Sequence, residues 1–395
     1  MFIEKLLKKI GNSRHQHHFV NIINIKQKFS WGGLMITISL CMIVKNEEDN
    51  ISRCLISVRD IVDEIIIVDT GSTDKTKEIV GLFTDKIYEF KWINDFSAAR
   101  NFSFSKATKD YILWLDADDV LLEVDRSKLK RVKEILDPGV DVVMMNYNYA
   151  FDEKGNVVLS HFRERLLKRA KNFFWSDPIH EFISFEGKVV NSDITITHKK
   201  SHMNNRRNLN ILEAMQAEGK EFSPRNMFYF AREKLNVNEY EGAIEYFNKM
   251  LDTEKGLPAD CISSCIYLAK AYKAINDRKN MLKALIRSFE YDTPRAEICC
   301  QLGYYYKDIE DYKRAIFWFD LAMKLEKPES KWGPILHEYW GFIPCIELCL
   351  CYYKLGNIEE AIKFNDKAAE YKPENPSVLQ NKRVFGNLKN KHVEK

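Results

Sequence analysis

Three carboxylates crowd one short stretch: Asp116, Asp118 and Asp119 close the segment from Asp110 to Val120. The residues before them, Tyr111 to Leu115, are apolar and read as a buried strand. Extended chain sends alternate side chains to opposite faces, so Asp116 and Asp118 can point the same way. At that spacing they repel unless positive charge sits between them. Oxygen ligands suit a hard divalent cation, Mg²⁺ or Mn²⁺. An acidic turn capping the next helix would use the same residue types, and this segment alone leaves both readings open.

The elements that must position these groups are legible around them. Ile36 to Val44 is a continuous apolar run, the pattern of a strand buried on both faces. A helical pattern follows through Ile51, Cys54, Leu55 and Val58. Glu64 to Val68 is a second strand ending on Asp69, and residues 70–74 supply cap residues for a helix from Lys75 to Phe83. A third strand is expected at Lys86 to Phe90, then a helix over Ala98 to Thr108. Strands alternating with helices predict an α/β domain, Rossmann-like, with a mostly parallel sheet. Ligands of such sheets bind beyond the carboxyl ends of the strands, where Lys45 to Glu47, Asp69 and Asp116 to Asp119 all fall. The absence of a G-x-G-x-x-G after a strand, of a P-loop and of G-x-S-x-G disfavours dinucleotide binding, kinase-like ATP use and hydrolase chemistry.

Four motifs in order carry a resemblance. They are Ile-Val-Lys-Asn-Glu-Glu (43–48), Ile-Val-Asp-Thr-Gly-Ser-Thr-Asp (67–74), Asn-Asp-Phe-Ser-Ala-Ala-Arg-Asn (94–101) and Leu-Asp-Ala-Asp-Asp (115–119). Together, across roughly residues 36 to 210, the chain resembles the inverting GT-A glycosyltransferases of family two. The resemblance implies that Ile43, Lys45 and Glu47 line a nucleotide pocket. Asp69 would bond the base or ribose, against a bland role as a turn residue. Asp95, Arg100, Asp116, Ala117 and Arg207 would contact the nucleotide sugar, Arg100 as a bidentate phosphate donor; the alternative for Arg100 is a solvated helix face. Asp116 and Asp118 would be the D-x-D pair, and His198, ending the β-like run from Ile194, would complete the metal shell with Mn²⁺ or Mg²⁺. His202 is close enough to be confused with it. Arg206 to Asn208 would open a helix near a flexible loop.

Inversion needs one base to take the acceptor's proton. The family's position for it matches Glu181, in Phe174 to Glu181, and apolar neighbours Trp175, Ile179 and Phe182 would raise its pKa. Asp177 is the reserve, because Asp177-Pro178 replaces the family's small residue; a local arginine pair is the bland reading of Glu181. Arg163, Arg165, Lys168 and Arg169 could face phosphate or form a solvated face.

Beyond Ser223 the pattern turns helical and repetitive. Leu302, Gly303, Tyr306, Ala315, Phe319 and Ala322, with Pro328 after them, follow tetratricopeptide spacing. Phe230, Ala231, Ala243 and Phe247 form an earlier copy, Leu348, Tyr352, Ala361, Ala368 and Pro373 a later one, and Leu268, Ala269 and Tyr272 a weaker one. An insertion, Glu329 to Gly341, stretches the last interval. The expected organisation is an extension (1–34), a GT-A domain (35–222) and an all-α tetratricopeptide-like domain (223–395). Such arrays offer a surface for peptides or partner subunits, or serve as a brace or homodimer interface.

Composition sets the remaining bounds. A net charge of +3 over 395 residues gives no field arguing for nucleic acid. Nine cysteines without a C-x-x-C pair, seven of them after residue 260, fit buried free thiols in a reducing cytoplasm. No apolar run approaches the ~18 residues of a membrane span. Met1 to Ser13 is amphipathic and basic, suiting a membrane surface, a partner or the protein's own surface. The expectation is a metal-dependent transferase moving a hexose from a UDP-sugar to an acceptor. The domain combination resembles peptide S-glycosyltransferases that modify bacteriocins of the sublancin type, and also cell-surface glycosyltransferases. A non-catalytic scaffold with a degenerate transferase domain is the alternative.

Overall fold

The structure, a computed structural model, describes residues 35–152, 155–199, 206–326 and 335–393. The expected N-terminal extension, its amphipathic segment and His202 lie outside the described residues.

The apolar run becomes β1 (Ile38–Val44), buried nearly throughout. Helix α1 (Ile51–Val58) turns Ile51, Cys54, Leu55 and Val58 inward, one face at helical spacing. The next strand, β2 (Glu64–Asp69), is wholly buried and pairs parallel with β1, Val44 beside Asp69. After α2 (Thr76–Val80), β3 (Ile87–Glu89) adds parallel to β2. Helix α3 (Phe96–Phe104) starts earlier than the apolar pattern suggested, because Asp95 caps it by accepting from the Ala98 amide. Strand β4 (Tyr111–Trp114) lies parallel on the other side of β1.

The chain then runs through β5 (Asp119–Leu121), α4 (Glu123–Ile135), β6 (Val142–Phe151) and β7 (Val157–Lys168). It continues through β8 (Trp175–Ser176), β9 (Phe182–Ile183) and β10 (Val189–His198). The main sheet has the order β3-β2-β1-β4-β7-β6-β10-β5. Its run from β3 to β4 is parallel; β7 joins β4 antiparallel, and β5 joins β10 antiparallel. Strands β8 and β9 form a separate ribbon. One apolar layer gathers Leu40, Met42, Leu55 and Leu113; the other gathers Cys41, Ile66, Trp114 and Trp175. An α/β fold with a parallel core is therefore present as expected.

At the amino end of β2, away from the strand ends that carry the motifs, Glu64 is buried. It is satisfied by Ser39, by the Thr108 amide at 2.9 Å and by Lys86 at 2.5 Å. Burial raises its pKa, but these donors outweigh burial and bring it down to about 2.

The chain forms two compact units. Of the described residues, the first takes those up to Tyr147, then Phe162–Asp177 and Glu181–Lys199. The second takes Asn148–His161, Pro178–His180 and everything from Arg206 onward. The division in the main chain thus falls at Lys199, earlier than the expected 222, because helix α5 (Arg207–Ala217) packs with α6 (Pro224–Asn236).

In the helical unit α6 pairs with α7 (Tyr240–Asp252), and α8 (Pro258–Ala274) with α9 (Arg278–Arg287). Then α10 (Ala296–Asp308) pairs with α11 (Tyr312–Lys324). After β11 (Ile335–Leu336), α12 (Phe342–Lys354) pairs with α13 (Ile358–Tyr371), and α14 (Pro376–Val393) follows. Each repeat turns the same way: Asn238, Asn276, Glu310 and Gly356 all have positive φ. In the last three the next residue, Asp277, Asp311 or Asn357, caps the second helix. Gly303 is the close-packing position: a Cβ there would lie 2.7 Å from the fully buried Phe319 ring. All nine cysteines are free and buried, as expected of a small apolar side chain. Among the described residues no helix is long and apolar enough to cross a membrane.

Candidate active site

Two loops at the carboxyl ends of β1 and β2 are laced together. Asn46 donates from its amide to Ser72 Oγ at 3.0 Å and accepts from the Thr73 amide at 2.8 Å. The Glu47 amide donates to Thr76 Oγ1 at 2.7 Å, and Glu48 accepts from the Lys75 amide at 3.0 Å. Asp69 accepts from the amides of Gly71 and Ser72, each at 3.0 Å. Gly71, at φ 101°, makes the turn that a side chain would strain. These residues build a rigid rim; Lys45 projects from it exposed and Ile43 lies half-buried behind it.

Next along the rim, Arg100 is a node. It is 8% exposed. Its Nη2 donates to Asp116 Oδ1 and its Nε to Glu181 Oε1, both at 2.7 Å. The guanidinium lies 5.0 Å from the Trp114 ring centroid and 4.9 Å from that of Trp175. Burial alone would raise the pKa of Asp116; Arg100 and Arg165 outweigh it and hold the carboxyl well below the usual carboxylate range. Asn101, the neighbour of Arg100, brackets Trp175. Its Nδ2 donates to the Trp175 carbonyl at 2.9 Å, and its Oδ1 accepts from the Trp175 amide at 2.7 Å. One helical turn therefore fixes both Glu181 and the ribbon that carries it.

The third group is set by strand pairing. In the antiparallel ladder His198 lies opposite Asp119, and facing residues in such a ladder share a side. His198 Nδ1 is 3.3 Å from Asp118 Oδ1 and from Asp119 Oδ1. Burial lowers the imidazole pKa, but the two carboxylates outweigh it and push it up to about 9. Asp119 is itself fully buried and committed: Arg165 Nη1 donates to its Oδ2 at 2.9 Å, and the Tyr147 hydroxyl to its Oδ1 at 3.0 Å. Asp118, 20% exposed at its side chain, is the more accessible carboxylate.

Asp118, Asp119 and His198 offer ligand atoms within 4.8 Å of one another. Two carboxylates and an imidazole suit Mn²⁺ or Mg²⁺, and a cation there would replace the charge that the imidazolium carries. The donor set therefore fits the expected metal, with one change of membership. Asp116 points its carboxylate to Arg100, and Asp119 stands in the cluster.

A glycosyl transferase family 2 model matches residues 39–194, and a tetratricopeptide repeat model matches 296–328 and 345–375. Residues 39–194 form a family 2 glycosyltransferase domain. The chain is 29% identical over 265 residues to the SPbeta prophage-derived glycosyltransferase SunS of Bacillus subtilis (strain 168), across 63% of this chain and 57% of that protein. An uncharacterized glycosyltransferase of Rickettsia typhi is 38% identical over 87 residues, 22% of this chain and 30% of the relative. A TPR repeat-containing protein of Synechococcus elongatus is 50% identical over 91 residues, 23% of each chain. The matched span thus takes in less than two thirds of each relative's length.

The expected residues divide by place. Glu181, Arg100, Asp116, Asp118 and His198 come to two adjoining clusters linked through Asp116 to Asp119. Asp69 and Asp95 hold turns and a helix start. Ala117 is buried in the core beside them. Arg207 opens α5 of the helical unit, exposed. Arg100 is no solvated helix residue, and Glu181 sits in an ion pair over two tryptophans where an apolar pocket was expected. Arg165 is neither solvated nor a surface phosphate ligand: it is fully buried, 3.7 Å from the Trp114 ring centroid. Sequence reasoning missed Asn101, Trp114, Tyr147 and the pairing of Asp119 with Arg165. Asn101 lay inside a quoted motif; for Tyr147 there was no local signal.

Proposed function

We propose that this chain is a metal-dependent inverting glycosyltransferase that moves a hexose from a UDP-sugar to a peptide cysteine or serine side chain. The observation that carries the reading is the pairing of a Glu181–Arg100–Asp116 node with the Asp118–Asp119–His198 cluster at the strand ends of a family 2 domain. Glu181 accepts the proton of the acceptor S–H or O–H as the acceptor forms its bond to the anomeric carbon. The bond from that carbon to the diphosphate oxygen breaks in the same displacement, which inverts the centre. Arg100 occupies Oε1 of Glu181, so the proton goes to Oε2. A divalent cation held by Asp118, Asp119 and His198 would neutralise charge on the departing diphosphate. Lys45, exposed on the rim, would meet the donor's nucleotide half.

A thiol, with a pKa of about 8.5, asks less of the base than a hydroxyl does. The similarity to SunS and the tetratricopeptide repeats support a peptide or protein acceptor. Nine free buried thiols support a reducing cytoplasm as the compartment. The test is mass spectrometry of candidate peptides incubated with the protein, Mn²⁺ and a panel of nucleotide sugars. A mass gain of one hexose on a peptide side chain, abolished by EDTA, is the expected result. No transfer and no donor hydrolysis with any sugar would refute the reading.

A further inference from the structure

Three guanidinium groups of the sheet unit gather at the Trp114 ring. Their Cζ atoms lie 5.0 Å (Arg100), 5.0 Å (Arg163) and 3.7 Å (Arg165) from its centroid. Two of them are committed. Arg100 divides its charge between Asp116 and Glu181, and its side chain is 9% exposed. Arg165 is wholly buried against Asp119. Arg163 differs from both. Its side chain is 28% exposed, and its ion pair is with its own chain neighbour, Nη2 to Glu164 Oε1 at 3.2 Å. Among the described residues no other hydrogen bond or ion pair holds it.

Strand pairing gives the place of this guanidinium. Strand β7 runs antiparallel to β4, with Leu113 opposite Leu166 and Ile112 opposite Leu167. Three residues further on, the same register sets Arg163 level with Asp116. Burial lowers the pKa of Arg163, but Glu164 outweighs it with help from Glu181, so the guanidinium lies within electrostatic reach of the base. Asp116 is the residue that joins the Arg100–Glu181 pair to the Asp118–Asp119–His198 cluster. A sugar donor has to span the same interval. Its anomeric carbon faces the base and its diphosphate faces the cation, so the phosphate that carries the sugar falls between them.

We propose that Arg163 receives the sugar-bearing phosphate of the donor's diphosphate, the task that the resemblance gave to Arg100. The proposal rests on the reading of the chain as a UDP-sugar transferase. A planar guanidinium fork suits two oxygens of one phosphate, and the Trp114 ring beside it fixes its orientation. As the bond to the anomeric carbon breaks, the charge left on the diphosphate falls beside a guanidinium that neither Asp116 nor Glu181 holds.

The test is isothermal titration of the full chain with UDP and with UMP, in Mn²⁺ and again in EDTA. UMP lacks the phosphate in question. Arg163→Gln is expected to weaken UDP binding at least tenfold in both media and to leave UMP binding within about twofold of wild type. Arg163→Lys keeps the charge and loses the fork, and should lose about threefold; it carries the test if Arg163→Gln does not fold. Glu164→Gln removes the ion pair and leaves the guanidinium, so its UDP affinity should stay within about twofold of wild type. Unchanged UDP affinity in Arg163→Gln would overturn the proposal. An equal loss with UMP, or in Glu164→Gln, would also overturn it, because structural damage then explains the change. A loss confined to Mn²⁺ would place the effect at the cation cluster and overturn the direct contact. A wild type that binds no UDP in either medium would instead refute the UDP-sugar reading beneath the proposal.

Discussion

Asp118 and Asp119 are neighbours in sequence, and single substitutions should separate what they do. Asp119 and Arg165 both have side chains with no solvent exposure, joined at 2.9 Å. Two more guanidinium nitrogens of Arg165, Nε and Nη2, have no hydrogen-bond partner among the described residues. The rings of Trp114 and Tyr147, 3.7 and 4.5 Å from the guanidinium, do not replace a counter-charge. Asp119→Asn keeps the shape of the side chain and removes that charge. Breaking a buried pair from one side costs about 3–5 kcal/mol. At about 2–4 °C per kcal/mol for a domain of this size, the transition of the sheet unit should fall by on the order of 10 °C. Asp118→Asn, at a more exposed side chain, should stay within about 1 kcal/mol of wild type and weaken Mn²⁺ binding at least tenfold. Differential scanning calorimetry and Mn²⁺ titration of the full chain measure both. Asp119→Asn within 1 kcal/mol of wild type (roughly the noise of a surface change) would refute the buried-pair argument. Conversely, the double change Arg165→Met with Asp119→Leu should recover most of the loss, since no charge is then stranded.

Three further outcomes follow from the same structure. Glu181→Gln should retain UDP affinity and lose transfer by about 10²–10⁴-fold; near-normal single-turnover transfer would discard the base assignment. Gly303→Ala should destabilise the helical unit by about 1–3 kcal/mol, because the added methyl meets the Phe319 ring, and an unchanged melting transition would contradict that packing. Glu64 has a depressed pKa in the fold, so its stabilisation is present above about pH 4.3 and is lost as the pH falls toward about 2. The stability gap between wild type and Glu64→Gln should therefore narrow between pH 7 and pH 3 in urea titrations; a constant gap would show that Glu64 titrates normally.

Much of this molecule was legible in its residues taken in order. Apolar runs such as Ile38–Val44 and Glu64–Asp69 announce buried strands because every side chain in them must be covered. Repeat spacing announces the helix pairs because each pair closes its own small core. The rim motifs were visible too, although several of their members turned out to hold loops together: Asn46, Asp69 and Asp95 use their oxygens on nearby amides. Local hydrogen bonding of this kind and ligand binding ask for the same residue types, so sequence could not part them.

Which charges meet was decided by the fold alone. Arg100 and Glu181 are 81 residues apart, and Arg165 and Asp119 are 46 apart. His198 reaches Asp119 only because β10 pairs antiparallel with β5 in one register; a slip of one residue would turn the imidazole to the other face. Periodicity along a chain reports which side chains are buried, because burial depends on local neighbours. It carries no record of which distant strand or helix will supply the partner, and in this protein those partners tie Asp119 to a buried arginine and leave Asp118 the more accessible carboxylate of the same cluster.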